Sequence, residues 1–281
     1  MTDHWRIRVL VENTAGRGGV LGEHGWSACI EADGHRILLD TGQGHVFTGN
    51  IRELGFEPAG LDAVVLSHGH YDHTGALATV LAVNRGVPLY AHPGAFEPKF
   101  ARNPDGTSRD VGMPEAQKAA VETSAAFVPV DGPTTLVGEV HVTGPVPRRT
   151  DFEDTGGAFF RDPMCRAVDD LVDDQAVFFD TPVGIVVVLG CAHAGVVNTL
   201  RHIRGLTNGR PIHTVIGGMH LVHADTRRLE ATVEALREFD VKRLAPCHCT
   251  GFPAMARFWR EFPAVYTLCR SGTVFEGSPA S

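Results

Sequence analysis

Three imidazoles and a carboxylate fall within six residues, at His68, His70, Asp72 and His73, directly after the strand-like segment Leu61–Ser67 with its apolar run Ala63–Leu66. Groups drawn from one loop can converge on a point only if the chain on either side is held rigid. The segment therefore constrains the fold to a buried strand ending near Ser67, a loop, and a turn at Thr74-Gly75. Imidazole suits zinc or iron, and a carboxylate can serve a second ion or its water. A solvated polar turn with several histidines by chance is the alternative, and it does not explain the apolar strand before the cluster.

The chain of 281 residues is 43% hydrophobic, enough for one large α/β domain. A formal charge of −8 supplies no basic face for a phosphate backbone, which argues against nucleic acid. Runs such as Val183–Leu189 fall far short of the roughly 20 residues that span a bilayer. Met1–Leu10 carries charges where a signal peptide needs an apolar stretch, so the expected location is the cytoplasm, with no membrane partner. Six scattered cysteines are read as mostly reduced, and Cys247-His248-Cys249 lacks the second cysteine pair that a zinc knuckle requires.

Pro and Gly are spread as turn punctuation, and one domain over residues 1–281 is expected, with a site-covering insertion around 93–131. Trp5–Glu12, Trp26–Ala32 and His35–Asp40 read as strands, the last two joined by Asp33-Gly34, a hairpin signal. Helical spacing follows at Val46–Leu54 and Gly75–Val83, with a short strand at Pro88–Ala91 and a helix at Pro114–Thr123. Leu136–Thr143, Gln175–Asp180 and Ile185–Leu189 read as strands. The last third alternates helix and strand and closes on strand-like Ala264–Leu268 and Thr273–Phe275. Hairpins followed by alternation predict two sheets between helices.

The H-x-H-x-D-H pattern of His68, His70, Asp72 and His73 resembles the signature of the metallo-β-lactamase superfamily. Leu39-Asp40-Thr41-Gly42 is similar to that family's early strand and turn, and His248 to its closing histidine, so the resemblance covers most of the chain. The segments Gly190–Thr199, Gly217–Leu221 and Pro246–Gly251 resemble the subgroup named after dihydropterin-6-methyl-(ribofuranosyl)aminobenzene-5′-phosphate synthase. The resemblance implies an αββα sandwich and two divalent ions, zinc first, with iron or manganese also compatible.

Two departures from the family pattern bear on the chemistry. No G-H-T-x-G segment precedes the hairpin, and Cys191 stands where the bridging Asp is usual. The missing imidazole is assigned to His193. The second ion's shell is left open between a Cys191 thiolate and a carboxylate from Asp169, Asp170, Asp173 or Asp174. On this reading His68, His70 and His193 hold one ion, and Asp72, His73 and His248 the other. Asp72 also orients the water. His220 or Tyr71 donates to a developing oxyanion, with His220 equally eligible as a ligand, and Arg148 and Arg149 offer an anion site. His92 is read as a satisfied edge histidine.

The leading function is hydrolysis of an ester, amide, lactone or phosphoester bond of a small molecule by a metal-activated water. A di-iron redox protein handling oxygen, or a ligand-binding relative without turnover, are the alternatives. The partner is a small, anionic substrate, and a homo-oligomer is compatible with the sequence.

Overall fold

Every side chain of the strand Gly184–Val188 is buried, and alternate residues belong to different cores. Val186 and Val188 pack with Ile7, Val9, Ile30, Ile37, Leu39, Val65, Val142, Val177 and Phe179, whereas Ile185 and Val187 pack with Leu200, Ile203, Val233, Leu236 and Phe258. A strand apolar on both faces must lie in a sheet covered on both sides, since successive side chains point opposite ways. In the computed structural model, which describes residues 1–277, that sheet has six strands.

The six run in the order Arg243–Cys247, Ile212–Gly218, Gly184–Val188, Val177–Thr181, Val140–Val142 and Thr134–Val137. A seven-stranded sheet faces it, in the order Val274–Gly277, Trp5–Val11, Ser27–Ala32, His35–Leu39, Ala63–Val65, Pro88–Ala91 and Ala126–Pro129. The second sheet's outer side packs Leu10, Cys29, Leu38, Val64 and Leu66 against Phe47, Ile51, Leu77, Val80 and Leu81 of two helices, Phe47–Glu53 and Leu77–Val83. Helix, sheet, sheet, helix is thus the layer order, and the fold is an αββα sandwich. Each fully buried Val or Leu contributes roughly 1.5–3 kcal/mol of burial energy.

Strands Ala63–Val65, Gly184–Val188, Ile212–Gly218 and Arg243–Cys247 each pair in parallel with a neighbour. Parallel neighbours in a sheet bring their carboxyl ends to one edge, where open α/β sheets bind ligands. His68, Cys191, His220 and His248 all follow such ends.

The structure departs from the sequence reading at a few elements. Leu136–Thr143 is a tight hairpin, because Gly138 turns the chain at φ +56° between Val137 and Val140. Ala264–Leu268 forms no strand and contributes only a bridge between Tyr266 and Leu244. Within 93–131, the strands Phe100–Arg102 and Ser108–Asp110 pair with each other and Phe159–Phe160 joins them in a small ribbon. The latter half of that stretch belongs to the sandwich, since Ala126–Pro129 is the edge strand of the seven-stranded sheet.

Candidate metal centre

Asp40 anchors the histidine loop. Its carboxylate accepts from the Ser67 backbone N–H (2.7 Å), the Ser67 hydroxyl (2.6 Å) and His73 Nδ1 (2.7 Å), all buried. Across the sandwich, the chain after Leu189 passes against Ser67 so closely that a Cβ on Gly190 would lie 2.1 Å from Ser67 Oγ. Only glycine permits this approach, which delivers Cys191 and His193 onto the loop.

The first cluster is His68, His70 and His193, all buried. His193 Nδ1 lies 2.8 Å from the Thr155 carbonyl, which can only accept, so Nδ1 carries the proton and Nε2 presents a lone pair. That Nε2 is buried with no partner, as is His70 Nε2. The Ser67 hydroxyl gives its proton to Asp40, so His68 Nδ1 donates to Ser67 Oγ at 2.9 Å and His68 Nε2 faces His70 Nδ1 at 2.8 Å. Burial, followed by the neighbouring imidazoles, holds His68 well below its ordinary pKa, and His193 likewise. Neutral imidazoles with unpartnered nitrogens in a dry pocket are what a divalent ion needs.

The second cluster makes the same argument from a pair. His73 Nδ1 donates to Asp40 and His248 Nδ1 to Asn13 Oδ1 (2.9 Å), yet their Nε2 atoms face each other at 3.2 Å. Two lone pairs cannot be held there without a cation between them, either a proton or a metal. Burial works against charge on His73, but Asp40 and Asp72 outweigh it and raise its pKa to about 9. His248 is lowered to about 4 by burial. Asp72 Oδ2 lies 3.4 Å from His248 Nε2 and 3.8 Å from His73 Nε2. Burial opposes its ionisation, and His73, His24 and His248 overcome that and hold the carboxyl well below its ordinary value. Cys191 Sγ stands 3.1 Å from His73 Nε2.

Two readings need correction. The carboxylates of Asp169 and Asp173 are not free for the second ion, whereas Asp174 keeps a buried Oδ1 without a partner. Lys99, itself buried, binds Asp169 (3.1 Å) and Asp173 (2.8 Å), Asp173 also accepts from Gly69 N–H, and Asp174 accepts from Ala194 N–H. Asp170 is exposed. Arg148 is not open to a substrate anion either, because its guanidinium donates to the carbonyls of His193 (2.7 Å) and Asp170 (2.5 Å). It braces the His193 loop. Arg149 is exposed and lies outside the cleft lining. His92 caps a short 3-10 turn by accepting from Gly94 N–H.

A cleft of about 740 Å³ opens over the clusters, lined by His24, Tyr71, Asp72, Cys191, His220 and His248, with Arg102 and Arg109 of the ribbon among its walls. Phe159 lies over the rings of His70 and His193 at 5.1 and 5.2 Å between centroids. His220, at φ +43°, stacks on His193 at 4.2 Å and leaves Nδ1 unpartnered. Sequence reasoning missed His24, which holds Asp72 Oδ2 at 3.1 Å, and Cys249, which meets Cys191 and His248. His24 lies in a loop remote in sequence, and only its place after the first strand hinted at the site.

A model of the metallo-β-lactamase superfamily matches residues 21–248. The chain is 28% identical to the 7,8-dihydropterin-6-methyl-4-(β-D-ribofuranosyl)-aminobenzene-5′-phosphate synthase of Methanocaldococcus jannaschii, across 98% of this chain and 97% of that one. An uncharacterized protein of the same organism is 34% identical across 89% and 93%. The crystal structure of Tm1679, described as a metal-dependent hydrolase of the β-lactamase superfamily, superposes with a TM-score of 0.83 at 31% identity, covering 98% of this chain and all of that one. Sequence match, fold and ligand geometry agree: the chain belongs to the metallo-β-lactamase superfamily.

Proposed function

We propose that the protein is a hydrolase with a binuclear metal centre that cleaves an ester, amide, lactone or phosphoester bond of a small anionic molecule. The observation that carries this reading is the pair of donor clusters on the cleft floor, His68/His70/His193 and Asp72/His73/His248. When bound, two divalent ions supply a lowered water pKa and polarisation of the scissile oxygen. Zinc suits the donor set, and iron or manganese are the other candidates.

The chain's own groups divide the remaining work. Asp72, ionised and fixed by His24, orients a water at the cleft floor. His220 and Tyr71, both on the cleft wall, are the donors proposed for a developing oxyanion. Phe159 covers the histidines and excludes bulk water. Arg109 on the cleft wall supports an anionic substrate. Six free cysteines, all buried, support a reducing compartment such as the cytoplasm. No helix among the described residues is long and apolar enough to cross a membrane.

The similarity to a synthase favours a second reading, in which the same centre serves a bond-forming reaction on a phosphorylated substrate. Chromogenic esters, lactones and phosphodiesters assayed with metal-loaded and metal-free protein separate the two. The hydrolase reading expects a metal-dependent rate that Asp72→Ala abolishes. No metal-dependent turnover of any of these classes would overturn it.

A further inference from the structure

We infer that sulfur ligates at the second metal position, with Cys249 joining Cys191 to form a soft donor pair. The inference rests on the binuclear reading above and adds to it a class of metal, a thiophilic divalent ion such as zinc, iron(II) or cobalt(II) rather than magnesium or calcium.

The backbone at this point is built to turn two consecutive residues inward. In an extended strand, His248 and Cys249 would face opposite ways. Here His248 takes φ +52° and opens a 3-10 turn over His248–Thr250, so that both line the cleft. A non-glycine residue at positive φ is a local cost, and such strain concentrates at working sites. Gly218 completes the arrangement. A Cβ there would lie 2.6 Å from Cys249 Sγ, so the absence of a side chain is what admits the sulfur.

The donors then meet. Cys191 Sγ, Cys249 Sγ and a His248 ring nitrogen lie within 4.8 Å of one another, and Cys191 Sγ, a His68 nitrogen and a His73 nitrogen form a second group within the same 4.8 Å. Cys191 therefore sits between the two positions, where a shared ligand belongs, and Cys249 lies on the side of the second. The Cys249 thiol also reaches the Cys191 carbonyl, at a long 3.6 Å.

Packing as small hydrophobes does not account for this pair. Cys29 and Cys247 show what that role looks like, each seated in an apolar cluster between or beneath the sheets. Cys191 and Cys249 face imidazoles and an open cleft instead. Ligation replaces each S–H by an S–metal bond and releases one proton per thiol to solvent, with no change of oxidation state.

The test is X-ray absorption at the zinc edge of the full-length protein reconstituted with zinc, with elemental analysis alongside. The expected result is sulfur scattering near ~2.3 Å besides the nitrogen and oxygen shell at ~2.0–2.1 Å. Cys191→Ser should retain part of the sulfur signal, contributed by Cys249, and Cys249→Ser should lose part of it. Cys29→Ser should leave it unchanged. A parent spectrum with zinc bound and only nitrogen and oxygen neighbours would overturn sulfur ligation while leaving the binuclear reading intact. Complete loss of sulfur scattering in Cys191→Ser would overturn the role of Cys249, and failure of the parent to bind zinc would overturn both.

Discussion

His73 points Nδ1 at Asp40 Oδ2 from 2.7 Å, with both side chains fully sealed from solvent. The carboxylate fixes which ring nitrogen carries the proton and so aims His73 Nε2 at Cys191 and His248. Asp40→Asn keeps the shape and loses the charge. Groups that orient a metal-binding histidine typically contribute 10–100-fold to affinity, so zinc affinity should fall by about that range with the fold intact. Chelator competition measures it, and unchanged affinity would show that Asp40 only packs.

Lys99 is a buried lysine beside the site. Its ammonium group sits between Asp169 and Asp173, and Asp173 in turn holds the Gly69 backbone N–H within the histidine loop. Removing one partner of a buried ionic cluster costs about 3–5 kcal/mol, because the remaining charges are left uncompensated. Lys99→Met should be destabilised by about that amount in urea unfolding. Adding Asp169→Asn and Asp173→Asn should recover much of the loss. A Lys99→Met variant within about 1 kcal/mol of the parent would mean that the carboxylates find other compensation.

Asp174 sets a pH dependence. Burial lifts its carboxyl from 3.8 to about 7, against the opposing hydrogen bond from Ala194 N–H. The folded state therefore keeps a proton that the unfolded chain releases. This contribution to stability is complete below pH 3.8 and is lost as pH rises toward about 7. Relative to Asp174→Asn, the metal-free parent should lose melting temperature progressively across that window. Parallel curves for the two proteins would refute a shifted Asp174.

How much of this was readable beforehand follows from chain distance. His68, His70, Asp72 and His73 share one loop, so their spacing alone marks them. The strand Ile185–Leu189 is legible because burial on both faces requires an unbroken apolar run. Asp169 and Asp173 read as candidate metal carboxylates and Lys99 drew no reading, since nothing local announces a pairing across 70 and 74 residues. Arg148 looked like an anion donor for the same reason, its carbonyl partners being supplied by loops far along the chain. Gly138 escaped notice because valines flank the turn on both sides and continue the apolar pattern through it.

His193 carries the least conventional assignment, an imidazole supplied from beyond the hairpin to the cluster of His68 and His70. Metal equivalents per chain, measured by elemental analysis after zinc loading and gel filtration, test it most directly. The parent should hold about two equivalents and His193→Ala about one, with circular dichroism unchanged. Full zinc content in folded His193→Ala would contradict the proposed centre.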